Sequence, residues 1–425
     1  MISKKILLLL AILFSVSISI QAQVVNETEP ETEVEVDEED ELVVIDQSGK
    51  EEIIDFPEAM TYDLDSLLNE YMSKTYLTAE DCNMRNENPT YSEDVYIERL
   101  SRLPTVMEMA HNKVVQQFID RYCSRLRGTV SYMLGACNFY MPIFEEALEA
   151  YQIPLELKYL PVIESALNPK AVSRVGATGL WQFMLATGKQ YNLQVNSLVD
   201  ERRDPIKASY AAAHFLSDLY KVFGDWNLVI AAYNCGPGNV TKAIQRAGGS
   251  KDYWHIYPYL PKETRGYVPA FIAANYMMTY YSLHNICPMG SKLPAQTDTV
   301  MVSKKMHLEQ IASVMGLDID MLRSLNPMYR RDIIPGNTEP YALRLPQSDV
   351  SRFIELEDTI SNYRANELLS NRTQVEVNDN VPTYYRKSKR TTTKRRTTAR
   401  RRTTTRKPAA KKSTAATRKP AAKKR

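Results

Sequence analysis

The sequence predicts a mainly α-helical protein. A large helical domain is followed by a small β-α-α-β module, and both ends of the chain lack regular structure. Three observations carry this prediction. From about residue 60 to 290, apolar residues recur three and four apart with little strand-like alternation. Between 298 and 346, two alternating stretches enclose two short amphipathic ones. The acidic stretch from 24 to about 55 and the tail from 386 hold too few large apolar residues to build a core. A chain of 425 residues has room for two domains and tails.

The first residues read MISKKILLLLAILFSVSISIQAQ. Lys4 and Lys5 begin the stretch, Ile6 to Ile20 form its apolar region, and Ala22 offers a small residue for cleavage. This is a secretory signal pattern over residues 1–22. It falls short of the roughly 18–20 apolar residues a spanning helix needs. No cysteine follows it to carry a lipid, and no other stretch is apolar enough to span a bilayer. The expectation is an exported protein. Residues 23–57 are strongly acidic and are expected to form a linker without structure.

A helical extension is expected over 58–145 and the main helical domain over 146–290. VVQQFIDRYCSRLRGTVSYML and MPIFEEALEAY carry helical periodicity. In DPIKASYAAAHFLSDLYKVF, Asp204 is the natural N-cap and Pro205 suits the first turn. AFIAANYMMTYYSLH is a further apolar helix, and the aromatic stripes are read as core.

Over 298–346, DTVMVSKKMH and YALRLPQ read as strands, and LEQIASVMG and DIDMLRSLNP as helices. The order, with SLNP at 324–327 and IIPG at 333–336, resembles a LysM module, the carbohydrate-binding repeat of cell-wall proteins. Lys305-Met306-His307-Leu308 stands where that module usually has Gly-Asp-Thr-Leu, so the resemblance concerns the fold. Residues 347–385 are read as a linker.

The tail, 386–425, is low-complexity, with TRKPAAKK at 405–412 and again at 417–424. It holds 19 Lys/Arg and no Asp/Glu, leaving 34 basic against 51 acidic residues in the other 385. The net charge of +2 therefore conceals a basic tail on an acidic body. Such a tail binds polyanions by releasing their counterions. An export signal sets nucleic acid aside and favours anionic polymers of the cell envelope.

Five cysteines are scattered at 82, 123, 137, 235 and 287, with no CxxC pair or metal-ligand spacing. No specific disulfide is expected.

The chemistry concentrates around Glu164, which follows the apolar run IPLELKYLPVI. A carboxyl set against apolar side chains gains proton affinity, which suits a general acid near neutral pH. Asn168-Pro169 is expected to end its helix. Gly176 and Gly179 then permit tight turns. Ser173 and Gln182 supply uncharged hydrogen-bonding groups of the sort that hold a sugar or orient a carboxyl. AAYNCGPGNV, at 231–240, places Tyr233 and Asn234 before a Gly-Pro-Gly loop, and PKETRGYVP, at 261–269, places Tyr267.

Four motifs in this order, ESALNPKAVSRVGATGLWQFM, DERRDP, WNLVIAAYNCGPGNV and ETRGYV, resemble the lysozyme-like catalytic domain of the lytic transglycosylases of glycoside hydrolase family 23. The resemblance covers about a quarter of the chain, 154–270. It implies cleavage of peptidoglycan glycan strands between N-acetylmuramic acid and N-acetylglucosamine, without metal or cofactor. By the same resemblance Glu164 is the single catalytic carboxyl. Ser173, Gln182, Met184, Tyr233 and Asn234 face the glycan, and Tyr267 assists the glutamate. Cys235 departs from the usual alanine and is read as a small packed residue. Trp181, where many relatives have methionine, is read as core. A periplasmic or outer-membrane setting in a Gram-negative type of envelope is implied.

Two other readings stand beside this one. A goose-type hydrolytic lysozyme on the same fold would need a second carboxylate, for which Asp200, Glu201 and Asp204 are the candidates, although capping and ion pairing suit them better. A non-catalytic peptidoglycan-binding protein would have had no need of Glu164, Ser173, Gln182 and Tyr267 together.

Overall fold

The apolar helix expected at 270–284 is the centre of the molecule. In the computed structural model it spans Tyr267–Tyr280 (α11), and its residues from Tyr267 to Met278 are all buried. A helix apolar on every side must be enclosed by others, and it is. The described residues are 41–45, 51–62, 67, 77–78, 87–291, 293–294, 296–369, 374–375 and 377. All fall within one compact unit that ends at Asp379.

In chain order the helices before α11 are Glu93–Ser101 (α1), Lys113–Cys123 (α2), Arg127–Ala150 (α3), Leu160–Ser165 (α4), Leu185–Gln190 (α5), Pro205–Phe223 (α6), Trp226–Cys235 (α7), Pro237–Arg246 (α8), Tyr253–Ile256 (α9) and Lys262–Arg265 (α10). α2 and α7 pack on α11, and α3 packs on α6. Asp204 caps α6 through the N–H groups of Ile206 and Lys207, with Pro205 in the first turn, as the sequence predicts. The same device starts α2, where Asn112 accepts from Val115, and α7, where Asp225 accepts from Leu228.

The run VVQQ…YML is helical, as its periodicity predicts, in two helices parted at Ser124-Arg125-Leu126. Several other expectations are corrected. The acidic segment 23–57 is not structureless throughout. Glu41–Ile45 (β1) and Glu51–Asp55 (β2) form an antiparallel hairpin, followed by a 3-10 turn at Glu58–Thr61. The acidic composition masks a short apolar set: Ile54, Ala59 and Met60 are almost wholly buried. Phe56 packs edge-on against Phe118 with ring centres 5.1 Å apart, and the Arg121 guanidinium lies 3.9 Å from its ring centre. Among the described cysteines, Cys123, Cys137 and Cys235 are free, and Cys287 is in a disulfide that the scattered spacing did not announce.

The C-terminal module has more parts than a β-α-α-β unit. A short antiparallel pair, Leu77–Thr78 (β3) and Gly290–Ser291 (β4), precedes it, and the stretch read as one strand is two, Thr297–Val302 (β5) and Lys305–His307 (β6). Helices Leu308–Met315 (α12) and Ile319–Leu325 (α13) follow, then Ile333–Pro335 (β7) and Tyr341–Pro346 (β8). β5 pairs antiparallel with β8, and β6 with β7. The 347–385 segment is not simply a linker: Val350–Asn362 (α14) packs on the module, burying Phe353 and Ile360. The spacing of these apolar residues gave too brief a helical signal beside its many polar neighbours.

Leu198 and Val199, from the helical domain, are buried inside the module's core. Backbone bonds lace the two together: Arg330 N–H to Leu198 O at 2.7 Å and Asp200 N–H to Met328 O at 3.0 Å. Farther on, Val375 N–H reaches Ser197 Oγ at 2.9 Å. No helix among the described residues is long and apolar enough to cross a membrane. The signal pattern and the basic tail lie outside the described residues.

Candidate active site

Glu164 occupies the last turn of α4. The helix stops earlier than Asn168-Pro169 suggests, because Ala166 and Leu167 both turn left-handed. This abrupt stop leaves the Glu164 side chain at the edge of the core, half-buried, beside buried Val162, Ile163 and Ser165. Tyr267, the first residue of α11, donates its hydroxyl to Glu164 Oε1 across 103 residues of sequence. Burial pushes the Glu164 carboxyl up from the ordinary carboxylate range to about 7. The Tyr267 hydrogen bond opposes that rise, and the charge of Glu58 adds to it. Burial, with the nearby Glu164 charge, holds the Tyr267 and Tyr233 hydroxyls well above their ordinary range. Both phenols therefore stay protonated, as hydrogen-bond donors.

The loop from Ala166 to Phe183 forms one wall. It is built from its own polar groups. Ser173 Oγ accepts from Ala177 N–H at 3.0 Å. The Gln182 amide donates to Gly179 O at 2.7 Å and to Ala171 O at 3.3 Å, with Gln182 itself at positive φ. Ser173 and Gln182 thus hold the loop's shape, and each retains partial exposure. Met184 is exposed at the N-cap of α5. Trp181 lies in the core, edge-on to Phe144 and bonded through its indole N–H to Ser209 Oγ at 2.9 Å. Its carbonyl accepts from Tyr233 at 2.7 Å, which ties α7 to the loop. Asn234 is exposed, and its carbonyl oxygen accepts from Thr264 Oγ1 at 2.8 Å. Burial raises the Cys235 thiol, which suits a packed residue rather than a nucleophile.

DERRDP braces this wall from behind. The Arg202 guanidinium grips Asp200 through two parallel bonds of 2.9 Å and donates to Phe183 O at 3.1 Å. Gly179 lies so close that a Cβ there would sit 1.8 Å from Arg202 O. Arg330 of the C-terminal module also binds Asp200, at 2.7 Å. Burial alone would raise the Asp200 carboxyl, but these two guanidinia outweigh it and hold it below its usual range. Glu201 accepts from Lys207 and from Gln194 N–H, and Asp204 caps α6. Each of these three carboxylates is engaged away from Glu164.

The structure brings Glu164, Tyr267 and Tyr233 together; Ser173 and Gln182 shape the loop that follows Glu164, and Met184 and Asn234 are exposed. Sequence reasoning missed Thr264, which orients Asn234, and Glu58, which lies 106 residues before Glu164, just past the acidic segment, with no distinguishing signal beside it. Among the described residues, no group of His, Cys, Asp and Glu could hold a metal ion.

Residues 141–256 match the model of the transglycosylase SLT domain, and residues 296–362 that of the LysM-like domain of lytic transglycosylase MltD. Membrane-bound lytic murein transglycosylase D of Escherichia coli K12 is 32% identical over 212 residues, 48% of this chain and 45% of that one. A putative tributyltin chloride resistance protein of Alteromonas sp. strain M-1 is 42% identical over 98 residues, 23% of this chain and 47% of that one. The chain thus spans just under half the length of these relatives. Among solved structures, the 70 kDa soluble lytic transglycosylase of Escherichia coli is 30% identical, covering 36% of this chain and 26% of that one, with a TM-score of 0.30.

Proposed function

We propose that this chain, which carries a transglycosylase SLT domain followed by an MltD-type LysM-like domain, is a peptidoglycan lytic transglycosylase. Its substrate is the β-1,4 bond between N-acetylmuramic acid and N-acetylglucosamine. The observation that carries the reading is Glu164 itself. It is a carboxyl lifted to about 7 by burial and held by Tyr267, and Asp200, Glu201 and Asp204 are all engaged elsewhere.

In this mechanism Glu164 begins protonated and gives its proton to the glycosidic oxygen as the bond to the muramic acid C1 breaks. The resulting carboxylate then removes the proton of the C6 hydroxyl, whose oxygen attacks C1 of the same sugar. The products are a 1,6-anhydro-muramic end and a free N-acetylglucosamine 4-hydroxyl, and Glu164 ends protonated. An internal nucleophile is already positioned, which replaces the entropy a free water would cost. One carboxyl thus serves twice, where hydrolytic glycosidases use two. Tyr267 orients Glu164 and supports its anionic form between the steps. The walls carrying Ser173, Gln182, Met184, Tyr233 and Asn234 form the glycan groove.

The hydrolytic alternative would need a base for water. The DERRDP carboxylates do not support it, because freeing any one would abandon a buried ion pair or a helix cap. The signal pattern supports export to the periplasm or cell envelope, and the basic tail suits anionic envelope polymers. Wild-type protein should release soluble muropeptides from purified sacculi, and Glu164→Gln should release none while keeping its fold by circular dichroism. Undiminished release by the variant would remove Glu164 from the mechanism.

A further inference from the structure

The segment before the SLT domain is built into the site rather than appended to it. The β2 backbone presses on the start of α11: a Cβ at Gly266 would lie 2.6 Å from Asp55 O and 3.1 Å from Phe118 Cζ. Only glycine lets the hairpin approach so closely, one residue before Tyr267. From there the chain passes Phe56, locked between Phe118 and Arg121, into the 3-10 turn Glu58–Thr61. That turn packs directly on α4, the helix of Glu164, with Ala59 and Met60 each 2% exposed. The anchors on either side of Glu58 therefore fix its backbone, and its half-buried side chain lies within electrostatic reach of Glu164.

We propose that Glu58 is a positioning residue of the active site: a fixed negative charge, delivered by the N-terminal hairpin, that holds the Glu164 proton until the glycosidic oxygen takes it. This rests on the assignment of Glu164 as the acid. A like charge penalises the Glu164 anion, so it favours the proton-bearing state needed at the start of each turnover. It acts against Tyr267, whose hydrogen bond favours the anion needed midway. The other titratable group facing Glu164 is Tyr233, from α7. On the preceding 3-10 helix, Glu156 accepts the N–H groups of Val106 and Met107, and Lys158 pairs with Glu145. On α11, Tyr276 is bonded to Arg99 and His284. Glu58 is thus the one carboxylate among the described residues that acts on Glu164 from outside the SLT match.

The test has two arms on the full chain. In the first, protein labelled with 13C at the glutamate carboxyls is titrated by NMR, with Glu164→Gln identifying the Glu164 signal. The Glu164 midpoint should fall in Glu58→Gln, by on the order of half a pH unit for a secondary like charge, and should return in Glu58→Asp. In the second, the alkaline limb of kcat/KM on purified glycan strands should move to lower pH by the same amount, and the anhydro products should persist. An unchanged Glu164 midpoint would overturn the proposal, as would loss of turnover at every pH with the midpoint unmoved, which would make Glu58 a base in its own right. Wild-type protein inactive on glycan would defeat the proposed activity, while the titration arm would still decide whether Glu58 governs Glu164. Should Glu58→Gln not fold, Glu58→Asp and Glu58→Lys carry the same titration, with Lys moving the midpoint furthest down.

Discussion

Tyr267 and burial pull Glu164 in opposite directions, and each can be removed separately. Tyr267→Phe deletes the one hydrogen bond that favours the anion. The alkaline limb of the pH profile should then move above about 7, and kcat should fall by roughly 100-fold, the low end of what a positioned proton partner contributes. An unmoved limb would mean that the bond does not act on the reaction. The same balance predicts a stability effect. A carboxyl whose folded-state affinity for protons exceeds its unfolded one costs stability as pH rises through that window, here from about 4.5 to about 7. Glu164→Gln should therefore raise Tm, and by more at pH 8 than at pH 5. The local sequence made Glu164 legible, because an apolar run and a glycine-bearing turn flank it. Its elevated proton affinity was legible too, since burial is its chief cause. Glu58 was not, because an isolated glutamate carries no sign of which distant helix it will meet.

At the scale of elements, the loop at 166–183 depends on a brace of ion pairs, the role that capping and ion pairing in DERRDP predicted. Asp200 is buried between Arg202 and Arg330, so Asp200→Ala should cost about 3–5 kcal/mol by leaving a buried guanidinium unpaired, measured by urea unfolding. Activity should fall with it even below the unfolding midpoint, because Arg202 also holds Phe183 O and Gly176 O. Helix and cap positions such as Asp204-Pro205 were readable because capping is local chemistry. The β1–β2 pair and α14 were not. Their apolar residues are few, and only contact with a core supplied from elsewhere in the chain makes those segments fold. The single strand expected at 298–307 became two for a related reason: β5 and β6 serve different partners, β8 and β7.

At the scale of the whole molecule, the C-terminal module is fused to the helical domain through Leu198, Val199 and the Asp200–Arg330 pair. Besides Glu164, two further groups contribute to the pH response of the fold. The Asp200 carboxyl sits below its unfolded range, so its stabilisation is present above that range and is lost as pH falls through its folded value. His284 is enclosed with Tyr276, Asn88 and Cys123, and burial lowers it to about 4, helped by Arg99 and Arg127. An unfolded histidine gains its proton near 6.5, so acid draws the equilibrium towards the unfolded chain between about 6.5 and about 4. The fall in Tm from about pH 7 to about pH 4.5 should be smaller in His284→Gln, and an equal fall would remove His284 as a contributor. Deleting 386–425 should weaken retention on envelope fractions in a salt-sensitive way and leave cleavage of short glycans intact. Retention indifferent to salt would argue against an electrostatic role for the tail.

The central claim is that one carboxyl performs both proton transfers while the sugar's own hydroxyl closes the ring. Mass spectrometry of muropeptides released from purified sacculi tests it most directly. The account predicts 1,6-anhydro-muramic ends from the wild type and none from Glu164→Gln. Reducing ends heavier by one water, roughly 18 Da, would contradict it, because they would require water as nucleophile and a second carboxylate to activate it.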